Sequence, residues 1–472
     1  MSESGSAIQV RTPGIWASLR EALMGSSQDF TEGGIARAIL LLAVPMVLEM
    51  MMESLFGVVD VFWVSHLGAD AVATVGLTET AFTLIFVVAL GLSMGATALV
   101  SRRMGEKDEE AAGLVAVQAI LIGVVVSVAT AVFGYFFAPN LLHIMGASAN
   151  VVRIGSGYTR MALSGSVTIF LLFLINAVFR GAGDAAIAMR VLWIANLVNI
   201  CLNPCLIFGL GPFPRLGVTG SAVGTIFGRG IGVLIQLWVL TSGRGRLAVR
   251  ASQLKADFAL IWRLIRLSSN AMFQYMVQMA SWIGMVRIIA SFGSDATAAY
   301  TVAIKVIVFA ILPSWGMSNA AATLVGQNLG AGKPARAETS VWRTGLYNML
   351  FLGTIGLLFI ALAPQIISLF TSDPKVAPLA VNALRLFSFG NVSYSYGMVI
   401  TAAFNGAGDT ATPTALNLIC FWLCQIPLAW ALAFQAGLGP NGVYAAVVLS
   451  DSLLAALGIL LFRRGKWKQV TV

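Results

Sequence analysis

The chain has 472 residues, 58% of them apolar and only 10% charged, with a formal charge of +9. So little polarity cannot clothe a water-soluble protein, so an all-α polytopic membrane protein is expected. The basic residues are scattered between apolar segments rather than gathered into a patch with stacking aromatics, which argues against a nucleic-acid partner.

Residues 1–34 are polar and lack the apolar core of a cleavable signal peptide. Within them Trp16, Leu19 and Leu23 recur at helical spacing, as in a short helix lying on the membrane surface. Apolar runs of about 20 residues or more then follow at 36–64, 72–101, 112–138, 155–181, 185–211, 217–241, 259–291, 297–327, 342–370, 379–405, 411–436 and 442–464. Twelve transmembrane helices are expected. They group as a first lobe over 35–241 and a second over 259–464, joined by a basic loop at 242–258 and followed by a tail at 465–472.

The first run carries Glu49, Glu53 and Asp60. At about 100° per residue the three acids fall on one narrow stripe, which Phe56 and Trp63 continue. An ionised side chain at the bilayer centre costs about 2.5 to 3.5 kcal/mol, so each acid is a functional candidate. Glu49 and Glu53 lie one turn apart, close enough in a low-dielectric setting to resist simultaneous ionisation, and one of them is expected to hold a proton. Asp60 lies farther along. In the fifth run Asn199 and Asn203 reach a similar depth, so Asp60, Asn199 and Asn203 are expected to share a cavity suited to H⁺ or Na⁺, with Arg160 a candidate for its border. Pro45 removes a backbone bond beside the stripe, and Met50 stands in a methionine cluster suited to an adaptable apolar wall.

The connectors separate by charge. Arg102, Arg103 and Lys107, then Arg180, then Arg244 to Arg266, then Lys333 and Arg336 fall on the side of Arg11, Arg20, Arg37 and the basic tail. By the positive-inside rule both termini are cytoplasmic and the protein is a multi-pass component of the plasma (inner) membrane. His66 and His143 have no neighbours at metal-ligand spacing, and Cys201, Cys205, Cys420 and Cys424 read as packing groups, so no metal site beyond a possible Na⁺ and no cofactor beyond the coupling ion are expected.

Landmarks recur at an offset of 225: Gly68 with Gly293, Gly105 with Gly330, Pro139 with Pro364, Arg160 with Arg385, and Gly217 with Gly442. The strongest match sets Gly181, Gly183 and Asp184 against Gly406, Gly408 and Asp409. Six helices per copy give two lobes related by a pseudo-two-fold axis along the membrane normal, with a cleft between them suited to alternating access. The copies differ where function is expected. Glu49 and Glu53 become Gln274 and Gln278, and Asp60 becomes Met285. The second copy instead carries Arg287 and Lys305 where the first has Phe62 and Thr80. Phe56, Trp63, Met50, Gln278, Lys305 and Arg287 are therefore candidates for the substrate cavity.

Pro45 followed by Asp60 and Gly68, the Gly-Asp runs ending at Asp184 and Asp409, and Asn199 with Asn203-Pro204 resemble the MATE family, the multidrug and toxic compound extrusion transporters. The resemblance runs from about Asp29 nearly to the end of the chain. It implies export of organic cations and other amphipathic compounds in exchange for H⁺ or Na⁺, with Asp60 and Asn199 at the family's first-lobe site. Gln278 stands where one branch of the family has Glu, and no acid is found in the tenth run. These departures favour first-lobe coupling, nearer the DinF-like branch, with H⁺ preferred. The expected partners are small organic substrates and membrane lipids, with the chain acting as a monomer. A flippase for lipid-linked saccharides is the alternative, drawing on Arg287 and Lys305, although the paired Gly-Asp motifs argue against it. A membrane-embedded enzyme is more remote, because no nucleophile stands with a plausible base.

Overall fold

Backbone N–H and C=O groups inside a bilayer must be satisfied within the protein, and this chain satisfies them with helices. The computed structural model describes residues 14–471, among which no strand occurs. Residues 1–13, with Arg11, and Val472 lie outside the described residues. The elements are α1 Ile15–Met24, α2 Ile35–Ser65, α3 Ala69–Gly105, α4 Glu109–Ile144, α5 Ala149–Ala182, α6 Ala185–Phe208 and α7 Val218–Ser242. After the basic loop come α8 Phe258–Ala290, α9 Ser294–Gly330, α10 Pro334–Ser368, α11 Val376–Ala407, α12 Ala411–Gln435 and α13 Pro440–Arg463. The twelve expected spans are α2 to α13. Ten are long and apolar enough to cross a membrane. The other two, α8 and α11, are 33 and 32 residues long and carry the second-half counterparts of α2 and α5.

The expected surface helix is α1. Trp16, Leu23 and Met24 are exposed on it while Ser18 and Ala22 pack inward, so its apolar side chains point away from the protein, as an interfacial helix requires.

The repeat is written into the backbone. Gly68 precedes α3 with φ 99° and ψ 175°, and Gly293 precedes α9 with φ 100° and ψ 176°, a region closed to side chains with a Cβ. One landmark is reassigned. Gly217 caps α7 with φ 58° and ψ −139°, and the matching conformation belongs to Gly439, with φ 58° and ψ −141°, rather than to Gly442. The cause lies in α12, which contains π-helical turns at Leu418–Gln425 and Ala431–Gln435. A π-bulge inserts a residue. Asn196 Nδ2 donates to Met52 O and Trp422 Nε1 to Val277 O, so 277 − 52 gives 225 while 422 − 196 gives 226. The following loop is four residues shorter in the second half, with Gly217 N bonded to Ile207 O and Gly439 N to Ala433 O. The offset between α7 and α13 is therefore 439 − 217, or 222.

The halves meet through small residues. The backbone of Met272 in α8 lies against Gly91 in α3, and by the same symmetry the backbone of Met46 and Val47 in α2 lies against Gly316 in α9. Farther along, Gly105 and Gly330 face each other at the pseudo-two-fold axis: a Cβ on Gly330 would stand 2.1 Å from Arg102 O, and one on Gly105 would stand 2.0 Å from Gln327 O. Backbones approach this closely only where no side chain intervenes. The last stretches of α3 and α9 are buried here, closing the end of the molecule that carries both termini. Above this seal a cleft of about 380 Å³ separates the halves.

Residues 26–33 form a strap across the closed end. From the first half, Arg246 donates to Ser26 O and Gln28 O, each at 2.6 Å, with its guanidinium over the Phe30 ring. From the second, Arg336 donates to Gly33 O and Glu32 O at 2.8 and 2.7 Å, and Lys333 Nζ to Thr31 O at 3.0 Å. Asp184, the acid of the first Gly-Asp run, accepts the Arg246 N–H at 2.5 Å and lies 3.6 Å from its guanidinium. Burial holds the Asp184 carboxyl above its ordinary range and the Arg246 guanidinium below its own. Asp409 accepts instead from Thr412 N and Thr412 Oγ1, so the two copies of the motif anchor different partners.

Candidate functional site

The acid stripe of α2 divides among three environments. Asp60 is buried, and its Oδ1 accepts from Asn203 Nδ2 at 2.8 Å and from Ser221 Oγ at 2.6 Å. Asn203 Nδ2 also donates to Asn199 Oδ1 at 3.1 Å, and Asn199 Nδ2 to Thr225 Oγ1 at 2.9 Å. Gly224 leaves room for this contact, since a Cβ there would stand 2.1 Å from Asn203 Oδ1. Helices α2, α6 and α7 thus bring Asp60, Asn199 and Asn203 together, and add Ser221 and Thr225. Na⁺ among them would use Asp60 Oδ1 and the two amide oxygens, with the Asn203 amide turned over. Among the described residues no cluster of three His, Cys, Asp or Glu side chains forms a metal site.

Glu49 and Glu53 do not pair with each other. Each meets an arginine. Glu49 Oε1 accepts from Arg180 Nη1 at 2.6 Å and from Asn176 Nδ2 at 3.0 Å, and Asn176 Oδ1 accepts from Gln236 Nε2 at 2.6 Å. Arg180, counted among the connector charges from sequence, is 8% exposed at the end of α5 and belongs to the interior. Its carbonyl accepts from Thr323 Oγ1 of α9, which ties the ion pair to the second half. Glu53 Oε1 accepts from Arg229 Nη2 of α7 at 3.2 Å. The two acids, expected to press on each other, are instead each turned to a separate arginine.

Arg229 escaped the sequence reading, although a basic residue inside an apolar run that faces unmatched acids was the signal available. It is 5% exposed, stands over Phe56 at 5.2 Å, and bonds Glu53. Glu53 lines the central cleft. Asp60, absent from the cleft wall, lies about two turns farther along α2.

Met50 and Gln278 line the cleft, together with Phe86, Met94, Met279, Trp315 and Tyr394. Phe56 and Trp63 are not among its walls: Phe56 lies under Arg229, and Trp63 packs edge-on against Phe62 and Phe208. Lys305 and Arg287 are exposed and also absent from the cleft wall. Arg160 stands over Tyr135 at 5.3 Å on an exposed face and is not among the partners of Asp60. Pro45 sits buried within a continuous α2.

The sequence profile of the MatE family matches residues 45–205 and again 271–431, once in each half. A probable multidrug resistance protein NorM of Thermotoga maritima is 26% identical over 93% of this chain and 94% of its own length. The probable multidrug resistance protein YoeA of Bacillus subtilis is 27% identical over 94% and 97%. A solved structure of a multidrug resistance MATE family transporter of the MOP superfamily, in an outward-facing conformation, superposes with a TM-score of 0.87 at 25% identity, covering 93% of this chain and 98% of that one.

Proposed function

Because the chain belongs to the MATE family, whose members are transporters and not enzymes, we propose that it is a cation-coupled antiporter of the inner membrane exporting amphipathic, often cationic, organic compounds. Its multidrug resistance relatives support the substrate class. The basic connectors support placing both termini in the cytoplasm, which makes the sealed end the inner one and the cleft outward-facing.

The observation that carries the coupling is that α2 and α7 hold both acids, Glu53 in the cleft wall on Arg229 and Asp60 on Ser221 about two turns along. When H⁺ or Na⁺ neutralises Asp60, its bond to Ser221 changes, and with it the seating of α2 on α7 on which the Glu53 contact with Arg229 also depends. Ion entry and substrate release are thereby linked through one pair of helices. H⁺ is favoured, because donors already satisfy Asp60 Oδ1 and Na⁺ needs the Asn203 amide to turn. The flippase reading gains nothing from this arrangement, since Arg287 and Lys305 lie outside the cleft wall.

Asp60→Asn is expected to abolish dye export from proteoliposomes driven by an imposed pH gradient, with the protein still inserted and monodisperse. Running the same assay under a Na⁺ gradient identifies the ion. Full export by the variant under either gradient would remove Asp60 from the mechanism.

A further inference from the structure

Asp451 lies in α13 at the position matched by Arg229 in α7, since 451 − 229 gives the 222 offset of those helices. It faces a cavity of about 60 Å³ within the second half. That cavity is the pseudo-symmetric image of the Asp60 site: Met285 takes the place of Asp60 at the 225 offset, and Gln425 that of Asn199 at 226. The acid has moved from the α2-like wall to the wall opposite, and the arginine has gone.

We infer that this chamber is a binding subsite for the ammonium end of an organic monocation. The cavity wall includes Asp451 and no lysine, arginine or histidine, so the carboxyl has no basic partner there, its polar neighbours in the wall being the neutral Gln278, Asn391 and Gln425. An arriving cation favours the ionised form of an acid that has no basic partner. Five aromatic residues stand in the same wall, Trp282, Tyr300, Phe387, Tyr394 and Phe421, and their ring faces attract a poorly hydrated organic cation. At about 10 to 15 Å³ per water on this measure, the space takes about four to six waters, or one small ammonium group, but not a polycyclic body. Gln278, Tyr394 and Phe421 line both the chamber and the central cleft, so a ligand whose body lies in the cleft has its head group at the chamber mouth. The subsite deepens the exporter reading by naming where the substrate's charge rests.

The test is calorimetric titration of the full-length protein in detergent and potassium buffer, with benzyltrimethylammonium and its uncharged isostere neopentylbenzene. Asp451→Asn is expected to weaken the ammonium probe by about ten-fold or more and leave the isostere unchanged. Tyr394→Leu should weaken the ammonium while Tyr394→Phe retains it, which keeps the question decidable if Asp451→Asn misfolds. Unchanged affinity in Asp451→Asn, or in Tyr394→Leu, overturns the inference. So does competitive displacement of the probe by Na⁺ at millimolar concentration. No gradient is used, so a failure of coupled export leaves this result standing.

Discussion

Glu49 and Arg180 are removed from water together, and the energetics of such a pair turn on symmetry of removal. Taking away one partner strands a charge, at a cost of about 3 to 5 kcal/mol, whereas replacing both with apolar groups of similar volume is close to neutral. Arg180→Leu is therefore expected to lower the unfolding temperature in detergent sharply, and Glu49→Leu combined with Arg180→Leu to recover most of the loss. Glu49→Gln, which keeps the bond from Asn176, should fall between. If the double variant proved as unstable as the single one, the pair would matter through Asn176 and Thr323 rather than through charge. The acids themselves were legible, because the second copy replaces them with Gln274, Gln278 and Met285. Their basic partners were not. Arg180 closes an apolar run beside Gly-Asp and so looks like a connector charge, and Arg229 lies between two glycines in a run that no stripe marks. Ion pairing joins residues some 130 and 176 positions apart, information that helical periodicity along one run does not carry.

Among the elements, the strap at residues 26–33 is held by arginines from both halves, so it resists their separation at the sealed end. Most of its bonds run to backbone carbonyls from Arg246 and Arg336, with Lys333 adding one to Thr31 O, so the two arginines carry the larger share of the hold. Arg246→Ala with Arg336→Ala is expected to free the strap and shift the population toward opening of that end. Spin labels at Glu110→Cys and Ala335→Cys, in a background with the four native cysteines replaced, should report a longer and broader distance distribution. An unchanged distribution would reduce the strap to a passive tether. The span count was readable from apolar runs alone. The π-turns of α12 were not: a single inserted residue leaves an apolar run apolar, and only the shifted backbone bonds reveal it. That one insertion, with the shortened loop after it, concealed the match between Arg229 and Asp451.

At the scale of the molecule, two copies of one fold make a symmetric seal and asymmetric interiors. The seal lies at the axis, where Gly105 and Gly330 bring α3 and α9 into backbone contact. Any alternation of access has to part these helices and bring them back, so the glycines set how tightly one end closes. A methyl on Gly330 would meet Arg102 O at 2.1 Å, and a carbonyl oxygen in a helix has nowhere to retreat. Gly330→Ala is thus expected to hold the ends of α3 and α9 apart and disfavour the closed arrangement. Ser101→Cys, buried beside Gly326 in this arrangement, should then react with a membrane-impermeant maleimide added from the terminal side, in a background with the native cysteines replaced. Coupled export should fall in parallel. Gly76→Ala provides the control, because a Cβ there meets nothing within 4 Å, and it should leave both reactivity and export as they are. Equal protection of Ser101→Cys in Gly330→Ala and in its parent would mean that the strap and the Met272 and Met46 crossings suffice to close this end, with the glycine contact following from closure instead of permitting it.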